Sequence, residues 1–182
     1  MRAILALTGC LFIGCSLSRD SRRPARLDQE RQALLEVPFF PNDADQCGPS
    51  ALASVLGYWG KPASPDSLRR ELYRAQLKGS LTVDLLLSAQ SRGLSAEMAN
   101  ASLAGVKKEL DEGRPVIAFV NTGYRFYPVG HYLVITGYDD RGRRIFAHSG
   151  MKRDQPLSYG KFDKQWEKTE RWALMIRPPR QP

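Results

Sequence analysis

Between residues 47 and 112, apolar positions recur every three or four residues, which is the spacing of amphipathic helices. Gly93 and Gly113 follow two of these segments and are typical of helix C-terminal ends, while Ser64 and Pro65 are typical of a capped N-terminus. The pattern predicts four helices, at 47–58, 64–76, 81–92 and 102–112.

Beyond residue 113 the pattern changes to short runs of β-branched and aromatic residues bounded by Gly, Asp or Pro. These runs predict four strands and a short amphipathic helix: strands at 115–120, 132–136, 144–147 and 172–176, and the helix at 160–169. The turn sequence Asp-Asp-Arg-Gly (139–142) joins the second and third strands as a hairpin. Helices followed by strands predict an α+β fold, with N-terminal helices packed on a C-terminal antiparallel sheet. We expect one domain, from residue 36 to 178.

The first fifteen residues have the pattern of a signal peptide. Arg2 precedes a short apolar run, 3–13, which is typical of secretory signals. The sequence Leu-Phe-Ile-Gly-Cys (11–15) resembles a bacterial lipobox, so Cys15 is the expected lipidation site, with Cys10 as the alternative. A secretory signal that is cleaved without lipidation is the other interpretation.

Residues 16–35 are polar and rich in arginine, without sustained apolar periodicity. This composition predicts a flexible tether between the signal segment and the domain. We therefore expect an exported lipoprotein that its N-terminal lipid holds at a membrane of the cell envelope, on the periplasmic side.

Composition excludes several classes of function. Hydrophobic residues make up 42% of the chain and charged residues 25%, which is typical of a folded globular domain. The net charge is +8, but the basic residues are scattered rather than gathered in one stripe, so we expect no nucleic-acid binding. The chain lacks a phosphate-binding loop, a dinucleotide fingerprint and zinc-ligand spacing, so we expect no cofactor and no metal.

Cys47 opens the first predicted helix, within Asp-Gln-Cys-Gly-Pro-Ser (45–50). The free amide N–H groups and the positive dipole end of a helix N-terminus stabilise a negative charge, so we expect its thiolate to be populated near neutral pH. If Cys10 leaves with the signal and Cys15 carries lipid, Cys47 has no disulfide partner in the oxidising envelope. A buried structural cysteine is the alternative interpretation.

A cysteine nucleophile needs a base near neutral pH, and histidine serves best. The chain has two histidines, of which His131 stands at the start of an apolar strand, directly after Val129 and Gly130. An imidazole at a strand edge can face a cleft. The alternative is a strand-end histidine that bonds to backbone or water.

A cysteine that opens a helix, followed far downstream by a histidine that opens a strand, is the arrangement of papain-like proteases. The two motifs, Val-Pro-Phe-Phe-Pro-Asn-Asp-Ala-Asp-Gln-Cys-Gly-Pro-Ser-Ala-Leu-Ala (37–53) and Gly-His-Tyr-Leu-Val-Ile-Thr-Gly-Tyr-Asp (130–139), resemble those of the double-glycine leader peptidases that mature bacteriocins, especially stand-alone lipoprotein-like members. The resemblance covers residues 36–177. It implies a papain-like fold, a peptide or protein substrate, and hydrolysis through a Cys47 thioester with His131 as general base.

The sequence departs from this family at the oxyanion site. Family members usually carry a glutamine a few residues before the cysteine, whose side chain helps the cysteine N–H to hold the oxyanion. The matching residue here is Asn42, a shorter amide, and Gln46 is the substitute candidate.

The second departure concerns the residue that orients the imidazole. The family generally has an aspartate on the next strand, where this chain has Ala-His-Ser-Gly (147–150). A four-residue loop would pair Tyr138 with Arg143 and Leu133 with His148, which makes His148 the orienting residue. A register shifted by one residue would bring Ser149 to that place, and Asp139 or Asp140 is a further alternative.

Two other functions compete with peptide-bond hydrolysis. On the same fold, the thiol could serve an envelope amidase or transpeptidase, acting for example on peptidoglycan stem peptides. Alternatively, given Asn42 and the absent aspartate, the domain could be a catalytically degenerate module that only binds a peptide.

Overall fold

The computed structural model of the protein describes residues 31–124 and 126–179. The predicted signal segment with Cys10 and Cys15, and most of the predicted tether, lie outside the described residues. The described part contains five α-helices: α1 (Cys47–Tyr58), α2 (Pro65–Leu72), α3 (Thr82–Ser91), α4 (Leu103–Asp111) and α5 (Tyr159–Trp166). It contains nine strands: β1 (Gln32–Leu34), β2 (Tyr73–Arg74), β3 (Gly79–Ser80), β4 (Ser95–Asn100), β5 (Val116–Asn121), β6 (Gly130–Asp139), β7 (Arg144–Ser149), β8 (Lys152–Ser158) and β9 (Trp172–Arg177).

The main sheet is antiparallel throughout, with the order β4-β9-β5-β6-β7-β8. Strand β6 is its longest member and organises the molecule. Strand β5 pairs with its first half, from Gly130 to Ile135, and β1 pairs with its last three residues, Gly137 to Asp139. The first residue of β1, Gln32, therefore lies opposite Asp139, at the end of β6 that is farthest from His131.

Helices cover both faces of this sheet. The buried residues Leu52 and Leu56 of α1 pack with Val134 of β6 in one apolar core, which also takes in side chains of α2 and α3. On the other face, Leu133 packs with Val106 and Leu110 of α4 and with the stacked rings of Phe162 and Trp166 of α5 in a second core. The alternation of side chains along a strand sends successive β6 residues to the two cores. None of the described helices is both long and apolar enough to cross a bilayer.

The predicted helices are present, and the capping arguments hold where they were made. Helix α1 spans the predicted residues, and the side chain of Ser64 accepts the N–H of Ser67 at the start of α2. The helix predicted for 64–76 ends early, at Leu72. Its last residues instead form a small hairpin, because β2 pairs with β3 across a turn in which Lys78 has a positive φ of 49°.

Besides the two strands of this small hairpin, three strands of the main sheet were not predicted from the sequence. Strands β4 and β8 are the two edges of the main sheet and are mostly polar, as the sequences Ser-Ala-Glu-Met-Ala-Asn and Lys-Arg-Asp-Gln-Pro-Leu-Ser show. Residues of low strand propensity adopt the strand here because a neighbouring strand offers hydrogen bonds. Strand β1 falls within the predicted tether, so the folded part begins by Gln32.

The β6–β7 hairpin is present, but its predicted register is wrong. Tyr138 pairs with Ile145 rather than Arg143, a register that alone would place Ile135 opposite His148. A β-bulge at Thr136 shifts the pairing by one residue, so the partner of His148 is Val134 rather than the predicted Leu133. A bulge adds one residue to one strand and changes which side chains share a face beyond it. This shift decides which β7 residue reaches His131.

Candidate active site

Cys47 is the first residue of α1, directly after a 3₁₀ turn at Ala44–Gln46. Its side chain is a free thiol with only 8% exposure. The backbone N–H of Tyr132 lies near enough to its sulfur to lower its pKa, so the thiol lies against β6 beside the residue that follows His131. Helix packing thus brings the two motifs together, although they lie more than eighty positions apart in the chain.

The close seating of Cys47 depends on Gly48. A Cβ at this position would lie 3.0 Å from the Cβ of Ser80 and 3.4 Å from the Tyr132 ring. The Tyr132 hydroxyl donates to the backbone oxygen of Ser80 at 3.1 Å, which ties the β2–β3 hairpin to the same corner. The absence of a side chain at residue 48 therefore lets the start of α1 approach both β3 and β6.

Burial raises the pKa of the Cys47 thiol above its usual value. The N–H groups of Tyr132, Gly48 and Cys47 itself act in the opposite direction, as expected at a helix N-terminus, and the nearby charge of Asp45 adds to the increase. The direction of this pKa shift runs against the expectation of a thiolate populated near neutral pH. The helix N-terminus supplies its donors, but loss of water around the sulfur outweighs them.

His131 is the second residue of β6 and is partly buried, opposite Val120 of β5. Its Nε2 atom lies 3.0 Å from the Ser149 hydroxyl oxygen. When the Ser149 hydroxyl oxygen accepts a hydrogen bond from Nε2–H, the other ring nitrogen, Nδ1, is unprotonated and carries the free lone pair. Burial lowers the pKa of His131, so the neutral imidazole is the favoured form.

His148 is not the residue that reaches His131. It is 5% exposed, its Nε2 lies 3.0 Å from the Val37 carbonyl oxygen, and its Nδ1 accepts the N–H of Asp154 at 3.2 Å. The ring of Phe39 packs against its edge. The bulge at Thr136 places Ser149 beside the imidazole instead, so the role expected of His148 is corrected to a structural one.

The two turn aspartates are also excluded from the site, because they lie at the other end of β6. Asp139 accepts the N–H of Gly142 at 3.0 Å and the side chain of Arg144 at 3.1 Å. Asp140 accepts the Tyr159 hydroxyl at 2.8 Å and pairs with Lys107. Both act as turn and anchoring residues.

Asn42 lies beside the strand end that carries Ser149, since its N–H donates to the oxygen of Gly150 at 3.2 Å. Its side-chain Nδ2 donates to the Phe40 oxygen at 3.3 Å, and its Oδ1 is buried without a partner. The side-chain amide of Asn42 is thus near the site, but its Nδ2–H group is already hydrogen-bonded to Phe40, two residues earlier in the chain. Gln46 occupies the 3₁₀ turn directly before Cys47.

Unsatisfied polar atoms gather at this corner of the molecule. Among the described residues, the buried side-chain atoms without a hydrogen-bond partner are Asn42 Oδ1, Ser50 Oγ and Ser80 Oγ. Ser50 lies one turn beyond Cys47, and Ser80 contacts Gly48. Buried polar groups are rarely left unpaired. Ser80 and Tyr132 were not identified from the sequence, because no local pattern signals that a two-residue strand packs on the cysteine.

The mixed architecture, with helices packed on an antiparallel sheet, is the papain-like cysteine peptidase fold, as the two motifs predict. The chain belongs to the Peptidase_C39 like family, whose model matches residues 32–174. No curated protein sequence matches the chain.

Solved structures share this fold. One is a double-glycine motif protease from an AMS/PCAT transporter in complex with the leader peptide, with 23% identity and a TM-score of 0.65 over 81% of this chain and 95% of that chain. The peptidase domain of Streptococcus ComA, a bifunctional ABC transporter of a quorum sensing pathway, shows 22% identity and a TM-score of 0.63 over 81% and 98%. A Bacillus anthracis protein described as a C39-like peptidase shows 17% identity and a TM-score of 0.66 over 84% and 100%. At these identities the similarity concerns the fold alone.

Proposed function

We propose that this chain is a cysteine peptidase that hydrolyses a peptide bond through a thioester on Cys47, with His131 as general base. The observation that carries the proposal is the position of the Cys47 sulfur beside the backbone N–H of Tyr132, the residue next to His131. The bond between His131 and Ser149 supports it, because it engages Nε2 and leaves Nδ1 to exchange a proton with the thiol.

The reaction follows from these positions. Nδ1 of His131 takes the thiol proton while the sulfur attacks the carbonyl carbon, and the Cys47 N–H donates to the oxyanion that forms. The imidazolium then protonates the leaving amine as the C–N bond breaks, which leaves an acyl thioester. A water molecule, deprotonated by the same imidazole, hydrolyses the thioester and restores the thiol.

In this proposal, the Cys47 thiol and the His131 imidazole are both uncharged before the substrate binds. Burial raises the pKa of Cys47 and lowers that of His131, so the proton stays on sulfur until the substrate arrives. Ser149 fixes the ring tautomer but stabilises an imidazolium less than a carboxylate does. We therefore expect slower turnover than in a papain-like enzyme with a preformed ion pair.

Substitution of Cys47 tests the proposal. In the full-length chain, Cys47→Ala should abolish both peptide cleavage and thiol labelling of the folded domain, with an unchanged circular dichroism spectrum. Cys15→Ala is the matched control, since it also replaces one cysteine, outside residues 32–174 that the family model matches, and should leave the cleavage rate unchanged. Retention of cleavage by Cys47→Ala would defeat the assignment.

A non-catalytic peptide-binding module is the second candidate. The raised pKa of Cys47 and the hydroxyl in place of a carboxylate at His131 favour it. Measuring peptide binding and cleavage by the wild type and by Cys47→Ala distinguishes the two functions. A binding module would bind peptides with equal affinity in both proteins and would cleave them in neither.

We further propose that the protein is an exported lipoprotein anchored through Cys15. The signal-like sequence of residues 1–15 supports this. Metabolic labelling with radioactive palmitate should modify the wild type and the Cys10→Ala variant but not Cys15→Ala. Labelling lost only in Cys10→Ala would move the anchor to Cys10.

A further inference from the structure

Two β-bulges lie on opposite sides of strand β7. The first is at Thr136 of β6. The second is in β8, where Arg153 and Asp154 together lie opposite the single residue His148 of β7. Asp154 has a positive φ of 46°, a left-handed conformation that residues other than glycine seldom adopt. Bulges redirect side chains and are frequent next to active sites.

A hydrogen bond joins the two bulges across β7. The Thr136 hydroxyl donates to Asp154 Oδ1 at 2.7 Å, and the Phe146 oxygen lies 3.3 Å from the same hydroxyl. Because Thr136 is completely buried, its hydroxyl has no access to water and depends on these two acceptors. The bond does not pass through His148, which accepts the backbone N–H of Asp154 on its Nδ1 atom.

The carboxylate of Asp154 reaches inward although solvent is within its reach. Its side chain is 26% exposed, and the Arg153 Nε atom lies 3.4 Å from its Oδ2 atom. Its Oδ1 atom nevertheless bonds to the buried Thr136, and the residue keeps its left-handed backbone. Backbone strain of this kind persists where the surrounding structure requires it, and it is concentrated at functional sites.

The bulge at Thr136 decides which face of the sheet Ser149 occupies. With the extra residue, Ser149 and His131 share a face, and the Ser149 hydroxyl oxygen lies 3.0 Å from the His131 Nε2 atom. Without it, the pairing of β6 with β7 would shift by one residue, and the Ser149 side chain would turn to the opposite face. The contacts that hold the bulge therefore also hold the partner of the imidazole.

We propose that Thr136 and Asp154 are positioning residues for the peptidase reaction. Their hydrogen bond fixes the bulge of β6, and the bulge holds Ser149 against the Nε2 atom of His131. Both residues act through Ser149. The proposal rests on the peptidase function proposed above, but its effect on the ring of His131 is measurable without any cleavage.

The first test measures how strongly residue 149 and His131 interact. In the full-length chain, NMR titration of the ring C–H signals gives the pKa of His131, and the chain has only one other histidine, whose signals His148→Ala identifies. A carboxylate beside an imidazole favours the charged ring, so Ser149→Asp should raise the pKa of His131 by about one pH unit or more.

The increase caused by Ser149→Asp is then measured again in three variants, each compared with the same variant that keeps Ser149. Thr136→Val preserves the shape of the side chain but removes the hydroxyl, and it should reduce the increase to less than half. Asp154→Ala removes the acceptor and should do the same; its partly exposed side chain makes it the variant to use where Thr136→Val does not fold. Thr136→Ser is the matched control, since it keeps the hydroxyl and should keep the full increase.

The second test is kinetic. Thr136→Val should lower kcat about tenfold, as Ser149→Ala does, with KM unchanged, and it should cause no further decrease when Ser149 is already alanine. A Thr136→Val variant that melts at a lower temperature but keeps the full pKa increase overturns the proposal, because the bond then contributes to stability alone. If the NMR result is as expected but the wild-type chain cleaves no peptide, the peptidase function fails and the positioning of His131 stands.

Discussion

The two ends of β6 differ in how well their polar groups are paired. The near end is the one at His131, and the far end is the one at Asp139. At the far end, the Tyr138 hydroxyl donates to Asp111 at 2.6 Å, and Asp139 and Asp140 each bond to a cation. The bond from the Gly142 N–H, together with Arg144, lowers the pKa of Asp139. Burial alone would raise the pKa of Asp140, but its bonds from Lys107 and Tyr159 outweigh that effect and lower it.

At the near end, few interactions offset the cost of burying polar groups. His131 has a hydroxyl rather than a carboxylate as its partner, the pKa of Cys47 is raised by burial, and Asn42 and Ser80 each leave a buried oxygen unpaired. The contrast is that the protein itself pairs the polar groups of the far end, whereas it leaves several buried polar atoms of the near end unpaired. Departures from full satisfaction are expected at functional sites.

The largest expected effect is that of His131→Ala. Loss of the general base should lower kcat/KM for peptide cleavage by about 10²–10⁴-fold, while the melting temperature stays nearly unchanged. Cleavage of a peptide substrate and thermal unfolding of the same preparation check this.

His148→Ala is the matched control, and it should lower the stability of the protein rather than its activity. It leaves the Val37 oxygen and the Asp154 N–H without their buried partner, so the free energy of unfolding should fall by about 1–3 kcal/mol, with kcat retained in the folded protein. Loss of cleavage at unchanged stability would instead make His148 the residue that orients the imidazole.

Substitution of Ser149 should have an intermediate effect that sharpens the comparison. Ser149→Ala removes the bond to Nε2, and we expect about a tenfold decrease in kcat. Ser149→Asp brings a carboxylate to the imidazole, as at the far end of β6, and should raise the pKa of His131. In wild type the acidic limb of the pH–rate profile should lie below pH 6.5, and Ser149→Asp should move it upward. An unmoved limb would exclude Ser149 as the positioning residue.

At the far end, Asp140→Ala should affect stability alone. The variant loses the bonds from Tyr159 and Lys107, which lie near the surface, so we expect a loss of about 1 kcal/mol in the free energy of unfolding. Urea titration measures this, and kcat/KM should stay within twofold of wild type. A decrease of more than twofold in kcat/KM would show that the two ends of β6 are coupled.

The smallest effect concerns the pH dependence of stability, in which the two ends differ. The pKa of Asp140 is lowered by folding, so its contribution is present above its ordinary pKa near 3.8 and is lost as the pH falls through the folded value. The pKa of His131 is also lowered, so stability should already decline as the pH falls below 6.5, because the unfolded chain takes up that proton first. His131→Ala should remove the decline just below pH 6.5 and leave the more acidic one. Urea titrations across this pH range measure both.

Much of the architecture could be predicted from local sequence, because each element is signalled by neighbours along the chain. The spacing of apolar residues gave helix α1 and the buried strands β5 and β6, and Ser64 with Pro65 gave the start of α2. The polar edge strands β4 and β8 could not be predicted, since their residues favour strands only when a partner strand is present.

For the candidate site, the sequence by itself pointed to Cys47 and His131 and to the elements that carry them, because a thiol and an imidazole are the chemical groups that the proposed reaction needs. Only the tertiary structure decided which residue meets the imidazole and which charge state the thiol favours. A single bulge at Thr136 exchanges His148 for Ser149, and burial against β6 outweighs the helix N-terminus at the sulfur. Register and desolvation depend on segments distant in the chain, so no local pattern encodes them.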